Sequence, residues 1–486
     1  MRGVQKCTCA GASLRSRNYA PLYCIILDTA TDPTCGSGGF LIKAFEYVRE
    51  KIESDIREQK EKLRTELEGD DFDSKTEKEQ AEISTQIEVM QKALNTELDT
   101  SIKGSRMYKL SRSCIYGTDA NPRMARTSKM NMIMHGDGHG GVHHHDGLLN
   151  VNGIFEGRFD VILTNPPFGQ NVDRKQTISE ADRFTDEDMK AIYRDKYGDA
   201  YDEALKQVDD NIGETLLSLY DLGSTSTLTE VLFMERCLHL LKKGGRMGMV
   251  LPEGVLNNKN LAAVREYFEG RAKLILICSI PQDVFIAAGA TVKPSLVFMR
   301  KFTSDEETEY AACKQEALKQ AAAPYHSELN SLKSEIDTCI KKAGDLKDDL
   351  KTVRAKLKQA NKLNADTSSI EAEIDAIQQE QKDNTATKKA AEKELSDLQK
   401  RIAEEAKSIV KKLFDYDIPI AKVEDAGITT TGAASEKNQL PDLVKEYRVY
   451  REDHQLWANV QLENRYIAKG GKYYRAINDQ EVLLHA

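Results

Sequence analysis

No apolar run in this 486-residue chain approaches the roughly 20 residues that a bilayer-crossing helix needs. Leu22 to Leu27 is too short even for the core of a signal peptide. The nine cysteines, an odd number, include no Cys-x-x-Cys pair. Free thiols in a reducing cytoplasm fit that better than a disulfide framework does. Positive charge is in deficit: 69 Lys and Arg face 78 Asp and Glu, a net charge of -9. A surface that attracts phosphate everywhere needs the opposite sign, so any nucleic acid would be held in a local groove or by a partner. Proline is absent between Pro324 and Pro419, where Gly344 is the only glycine. Long helix is expected there.

What is present is 40% hydrophobic and 30% charged residues, enough for a globular core beside charged helical segments. The length allows roughly two to four units. Three regimes alternate. A short glycine-bearing start gives way at 47–103 to charged helix, in which Ile52, Gln59, Leu63 and Leu67, then Ile83, Ile87, Met90, Leu94 and Leu98, recur at about heptad spacing. Gly69 to Ser74 breaks the two arms into a helical hairpin. From Ser105 to about Arg300, β-branched runs alternate with helices: Phe159 to Thr164, Gly245 to Leu251, Lys273 to Ile280 and Ser295 to Met299. Such runs predict an α/β fold with a doubly wound, mostly parallel, Rossmann-like sheet. A second hairpin coiled coil follows at 303–412, its turn at Asn364 to Ser369 and its seam weakened by Gln381, Asn384 and Lys388. Both hairpins read equally as spacer arms or as partner-docking surfaces. The domains expected are therefore 1–302 (interrupted at 47–103), 303–412, and a tail region at 413–486 with no chemical motif.

Three strings carry chemistry. Asp32-Pro33-Thr34-Cys35-Gly36-Ser37-Gly38-Gly39-Phe40-Leu41 lies between an apolar strand, Tyr23 to Leu27, and the start of a helix. Closely spaced glycines let backbone approach a ligand where a helix N-terminus offers open N–H groups. A tight structural turn has the same appearance. Ile115 to Asp119 is a strand ending in an acid, the position from which ribose hydroxyls are held in nucleotide sites. Asn165-Pro166-Pro167-Phe168-Gly169 follows the strand Phe159 to Thr164. Prolines end the strand and expose two acceptors, the Asn165 amide oxygen and the Pro166 carbonyl. Together they suit a planar NH₂, whose lone pair is freed for attack while both hydrogens are held, and Phe168 can stack on its ring. His135, His139, His143, His144 and His145 invite a metal reading, but alternation points His144 away from its neighbours and no cysteine lies near, so no metal is expected. Glu235 reads as a structural charge rather than a base.

Taken in order, these strings resemble the N6-adenine DNA methyltransferases. With Lys129 to Gly136, Gly157 to Asp160 and Lys242 to Gly254, the stretch from Asp32 to Lys301 is similar to the methylation subunit of type I restriction-modification systems. The resemblance implies S-adenosylmethionine as cofactor, met by Asp32, Cys35, Gly36, Ser37, Gly38 and Gly39. It implies Asp119 on the ribose and an acid after the third strand facing the adenine, Asp146 rather than Asp137. Asn165, Pro166, Pro167 and Phe168 match the catalytic string that receives an adenine flipped out of duplex DNA. Phe285, Gly289 and Thr291 match the wall around that base. The resemblance further implies a DNA specificity subunit, a possible restriction subunit and two copies of this chain per complex. Family members carry a helical domain and a Phe-Thr-Pro string ahead of the glycine loop. Here about thirty residues precede Asp32, with Asn18 to Pro21 the nearest proline string, which implies a truncated or divergent front. Two alternatives stay open: a protein-glutamine N-methyltransferase, which uses a similar string on another planar amide, and a catalytically silent assembly subunit.

Overall fold

The computed structural model describes residues 28–486, leaving out 139, 289–291, 363–365, 455–463, 470–471, 478–479 and 486. The expected strand at Tyr23 to Leu27, and His139, Gly289 and Thr291, lie outside the described residues. The chain divides into two compact units, residues 304–417 and all the rest.

The larger unit is built on eight strands: β1 (Ala30–Asp32), β2 (Ile115–Asp119), β3 (Val142–His144), β4 (Phe159–Thr164), β5 (Leu241–Pro252), β6 (Ala272–Ser279), β7 (Pro294–Lys301) and β8 (Ile420–Lys422). Their order is β3-β2-β1-β4-β5-β7-β6-β8. β3, β2, β1, β4 and β5 are parallel, and β7 runs antiparallel between β5 and β6. The chain winds outward in both directions from the β1/β4 pair. That is the switch point, where a crevice opens beyond the carboxyl ends of the strands. The mostly parallel, doubly wound α/β fold is thus the one its apolar runs require.

Helix α1 (Gly39–Glu68) leaves β1 and returns through α2 (Glu77–Asn95), and α3 (Pro122–Met134) joins β2 to β3. The hairpin expected to start at 47 therefore has no separate beginning: its first arm is the helix that leaves the glycine turn. No breaker stands between Gly39 and Gly69, so nothing ends the helix there. Its near end packs Leu41 and Phe45 against the sheet, and its far end packs Leu63 on Ile87 and Met90 of α2. A capping box of Thr76 and Glu79 starts α2.

After β4 come α4 (Glu187–Tyr197), α5 (Asp199–Asp209) and α6 (Thr229–Leu240), then α7 (Ala262–Glu269) between β5 and β6. Helix α6 is buried nearly all round, as a helix inside a core must be. Val231, Leu232 and Leu238 join Phe159, Ile162, Met247 and Val297 in the main core. Each such side chain contributes about 1.5–3 kcal/mol by leaving water.

Residues 418–486 belong to this same unit rather than forming a region of their own. β8 lies beside β6, and Val423, Leu440 and Leu443 pack around Cys278 and Ile280. A hairpin of β9 (Ala426–Ile428) and β10 (Ala434–Asn438), helix α8 (Leu440–Asp453) and an antiparallel meander of β11 (Asn464–Lys469), β12 (Lys472–Ile477) and β13 (Gln480–His485) complete it.

Among its described residues the second unit holds three α-helices, not two: Ser304–Ala322, His326–Lys362 and Ser368–Leu413. The first, with Ala317 and Ala321 buried, packs beside the third. At the seam of the long pair, Asn384 is buried and its amide donates to the Cys339 carbonyl at 2.8 Å, while Gln381 reaches Leu346. These polar seam residues are satisfied inside the unit, where an unpaired amide would cost on the order of 1–3 kcal/mol.

Candidate functional site

The three strings converge on the carboxyl edge of β3, β2, β1 and β4. Gly36 and Gly38 adopt φ of +54° and +89°, a left-handed turn that L side chains rarely take. A Cβ at Gly38 would also meet Ser128 Oγ at 2.5 Å. Gly36 and Gly39 face open space instead. Ser37 is exposed and its carbonyl accepts from Asn131 Nδ2 at 2.9 Å.

Two acids fix this turn. Asp32 is buried, and its Oδ1 accepts from Thr34 N at 2.9 Å and from the Thr164 hydroxyl at 2.6 Å. It therefore ties the glycine turn to the last residue of β4. Burial pushes its carboxyl up to about 6, although the Thr164 and Thr34 donors pull the other way. Asp119 ends β2 and accepts from Gly36 N at 2.9 Å and from Asn121 N at 2.8 Å. Cys35 is buried, and burial pushes its thiol up to about 12, leaving it an inert packing group.

Asp146 follows β3. Since His144 stands opposite Asp119 in the parallel register, Asp146 lies on the same edge as Asp119. Asp137 precedes β3, at the opposite edge, and accepts from Gly140 N. Burial raises the Asp146 carboxyl against the Leu148 N–H and His145, which lower it. The loop beyond is braced by Arg236, a fully buried cation on α6 that donates to the carbonyls of Gly147 and Leu149 and to Asn150 Oδ1 at 2.8–3.0 Å. At Gly147 a Cβ would stand 2.0 Å from the Pro33 carbonyl, so this loop closes directly on the turn after β1.

Asn165 begins the segment beyond β4. Its Oδ1 is buried and has no hydrogen-bond partner among the described residues. Pro166 is buried, and Pro167 and Phe168 are half-buried. The Phe168 ring meets Phe285 edge to face, centroids 6.1 Å apart. Glu235 is fully buried, accepting from Asp221 N and Leu222 N at 2.9 Å each and from the Tyr267 hydroxyl. It is a structural acid. His143, His144 and His145 go to separate partners, Asn152, the Ala120 carbonyl and the Asp182 carbonyl.

Sequence reasoning missed Thr164, Gly147, Arg236 and Glu230, whose carboxylate accepts from Gly169 N. A charge in an otherwise apolar helix was the available signal for Glu230 and Arg236.

A doubly wound sheet with a left-handed glycine turn after its first strand and an acid at the end of its second is the frame of a nucleotide-type cofactor site. Matches to family models narrow the likeness. Residues 27–200 match the RMKL-like methyltransferase domain, and residues 196–398 match the N-6 DNA Methylase family. Among solved structures, the type I restriction enzyme EcoKI M protein is 17% identical, over 57% of this chain and 40% of that one, with a TM-score of 0.34. A modification subunit assigned to a type I restriction enzyme of Vibrio vulnificus YJ016 is 19% identical, over 56% and 40%, with a TM-score of 0.34. The chain thus spans about 40% of the length of these modification subunits.

Proposed function

We propose that this chain transfers a methyl group from S-adenosylmethionine to N6 of adenine in duplex DNA, as the modification subunit of a type I restriction-modification complex. The observation that carries the reading is the buried Asn165 Oδ1 at the switch point of the sheet, which has no partner among the described residues. A buried acceptor without a donor costs on the order of 1–3 kcal/mol, and an arriving amino group relieves that cost.

The cofactor would supply an electrophilic methyl group on a sulfonium. The residues fit it: open space at Gly36 and Gly39 admits a ligand against the turn, and Asp119 and Asp146 line the same edge. Asn165 and the Pro166 carbonyl would accept the two amino hydrogens, which localises the nitrogen lone pair for attack. Phe168 would stack on the flipped base, with Phe285 holding the ring from its edge. No residue needs to act as base, because the methylated ammonium loses its proton to water. With a net charge of -9, DNA would be held chiefly by a specificity subunit, and the helical arms are candidate contacts for it.

Mass spectrometry of DNA from cells with and without this chain and its partners tests the reading. N6-methyladenine that depends on the chain is expected. Its absence, with a methylated glutamine in a protein instead, would move the activity to the protein-glutamine class. Calorimetric titration with S-adenosylmethionine separates an enzyme from a silent assembly subunit, which would give no saturable heat.

A further inference from the structure

The segment Asn165 to Phe168 leaves the sheet between two buried carboxylates. Upstream, Asp32 takes the Thr164 hydroxyl at 2.6 Å. Downstream, both oxygens of Glu230 lie 3.2–3.3 Å from Gly169 N. Glu230 is buried in the first turn of α6. A carboxylate there ordinarily serves the open N–H groups of its own helix. This one accepts from a residue 61 positions earlier.

Gly169 has φ of +65° and open space where a Cβ would stand, so the turn, not crowding, demands glycine. Beyond it the chain is knitted to the approach to α6. Thr229 donates from N and Oγ1 to the Gln170 carbonyl at 2.9 and 3.1 Å, Val172 N donates to Thr227 O at 2.9 Å, and Thr227 Oγ1 donates to Asn171 Oδ1 at 2.8 Å. Pro166 and Pro167 have no N–H with which to anchor themselves, so the segment must be fixed from its ends.

We propose that Glu230 is a positioning residue of the methyl-transfer site. By holding the Gly169 N–H it sets the Asn165 and Pro166 acceptors, and the plane of Phe168, where they grip an amino group. This rests on the reading that Asn165 receives the adenine amino group. Acceptors displaced by even half an ångström lose much of their effect on a reacting nitrogen. The acceptor matters more than the charge, because a glutamine oxygen can take the same N–H.

The test compares Glu230→Ala and Glu230→Gln in the full chain with its co-purifying partners. In Glu230→Ala, amide exchange across residues 168–172 should quicken at least tenfold, and single-turnover methylation of an adenine-containing duplex should slow at least tenfold at saturating cofactor. In Glu230→Gln both should stay within threefold of wild type, and the Kd for S-adenosylmethionine should stay within twofold in both variants. Unchanged exchange in Glu230→Ala overturns the proposal. So does an equal loss in Glu230→Gln, or a parallel loss of cofactor affinity, either of which marks a general folding role. A wild-type chain that methylates no DNA would overturn the reading of the reaction instead, and the exchange measurement would still decide whether Glu230 sets the segment.

Discussion

Two turns leave the same edge of one sheet by opposite means. The turn after β1 owes its shape to glycine freedom, with Gly36 and Gly38 left-handed, and it begins a helix, where open N–H groups donate. The segment after β4 owes its shape to proline restriction, and it offers oxygens, the Asn165 amide and the Pro166 carbonyl. On the function proposed above, donors on one side of the switch point and acceptors on the other would sort two ligands by chemistry: anionic or hydroxyl groups to the first, an amino group to the second. Asp32 belongs to both, since one oxygen takes Thr34 N and the Thr164 hydroxyl.

The largest separation of the two turns comes from Asn165→Ala. Methyl transfer should fall at least a hundredfold, roughly 3 kcal/mol or more in the barrier, while calorimetry returns an unchanged cofactor affinity. Retained transfer would dissolve the distinction between the turns.

Asp32 tests their linkage through pH. Its folded carboxyl, raised by burial to about 6, stands above the unfolded value of about 3.9. Between those values the folded chain keeps a proton that the unfolded chain has released, so Asp32 lowers stability as pH climbs from about 4 to about 6. Denaturant unfolding at pH 4 and pH 7 should show wild type losing about 2–3 kcal/mol more than Asp32→Asn across that window. Equal slopes would mean that Asp32 is not desolvated.

Gly147→Ala attacks the first turn most directly, because the new Cβ would stand 2.0 Å from the Pro33 carbonyl, with the Phe233 ring next at 2.9 Å. Overpacking of this kind costs about 1–3 kcal/mol. A lower melting temperature and a tenfold weaker cofactor Kd should follow, with amide exchange across residues 168–172 unaltered. The smallest effect is expected from Thr164→Val, which keeps the β-branched shape but removes the hydroxyl that joins β4 to Asp32. About 1 kcal/mol of stability should go, read by denaturant midpoint.

How far the sequence foretold this arrangement depended on the distance over which each signal acts. β2, β4, β5, β6 and β7 were legible because buried strands write themselves as unbroken apolar runs, and the site strings were legible because glycine and proline mark their own turns. The three-residue β8 carries too little pattern to be seen, and its partner β6 lies more than a hundred residues away. The start of α1 was hidden because helix-forming residues run on without a break from Gly39 into the arm. A third helix in the smaller unit escaped because Ala317 and Ala321 are small core residues with little hydrophobic signature. Glu230 and Arg236 act on loops 61 and 86–89 positions earlier, through contacts that no local spacing encodes.

The unbroken run of α1 has a mechanical meaning. Thirty residues of helix at 1.5 Å each make a rod about 45 Å long, rooted in the glycine turn and ending at Gly69. With no glycine or proline after Gly39 along its length, and with Leu41, Phe45, Ile52, Ile56 and Leu63 buried in succession, it makes the glycine turn and the outer arm one continuous piece.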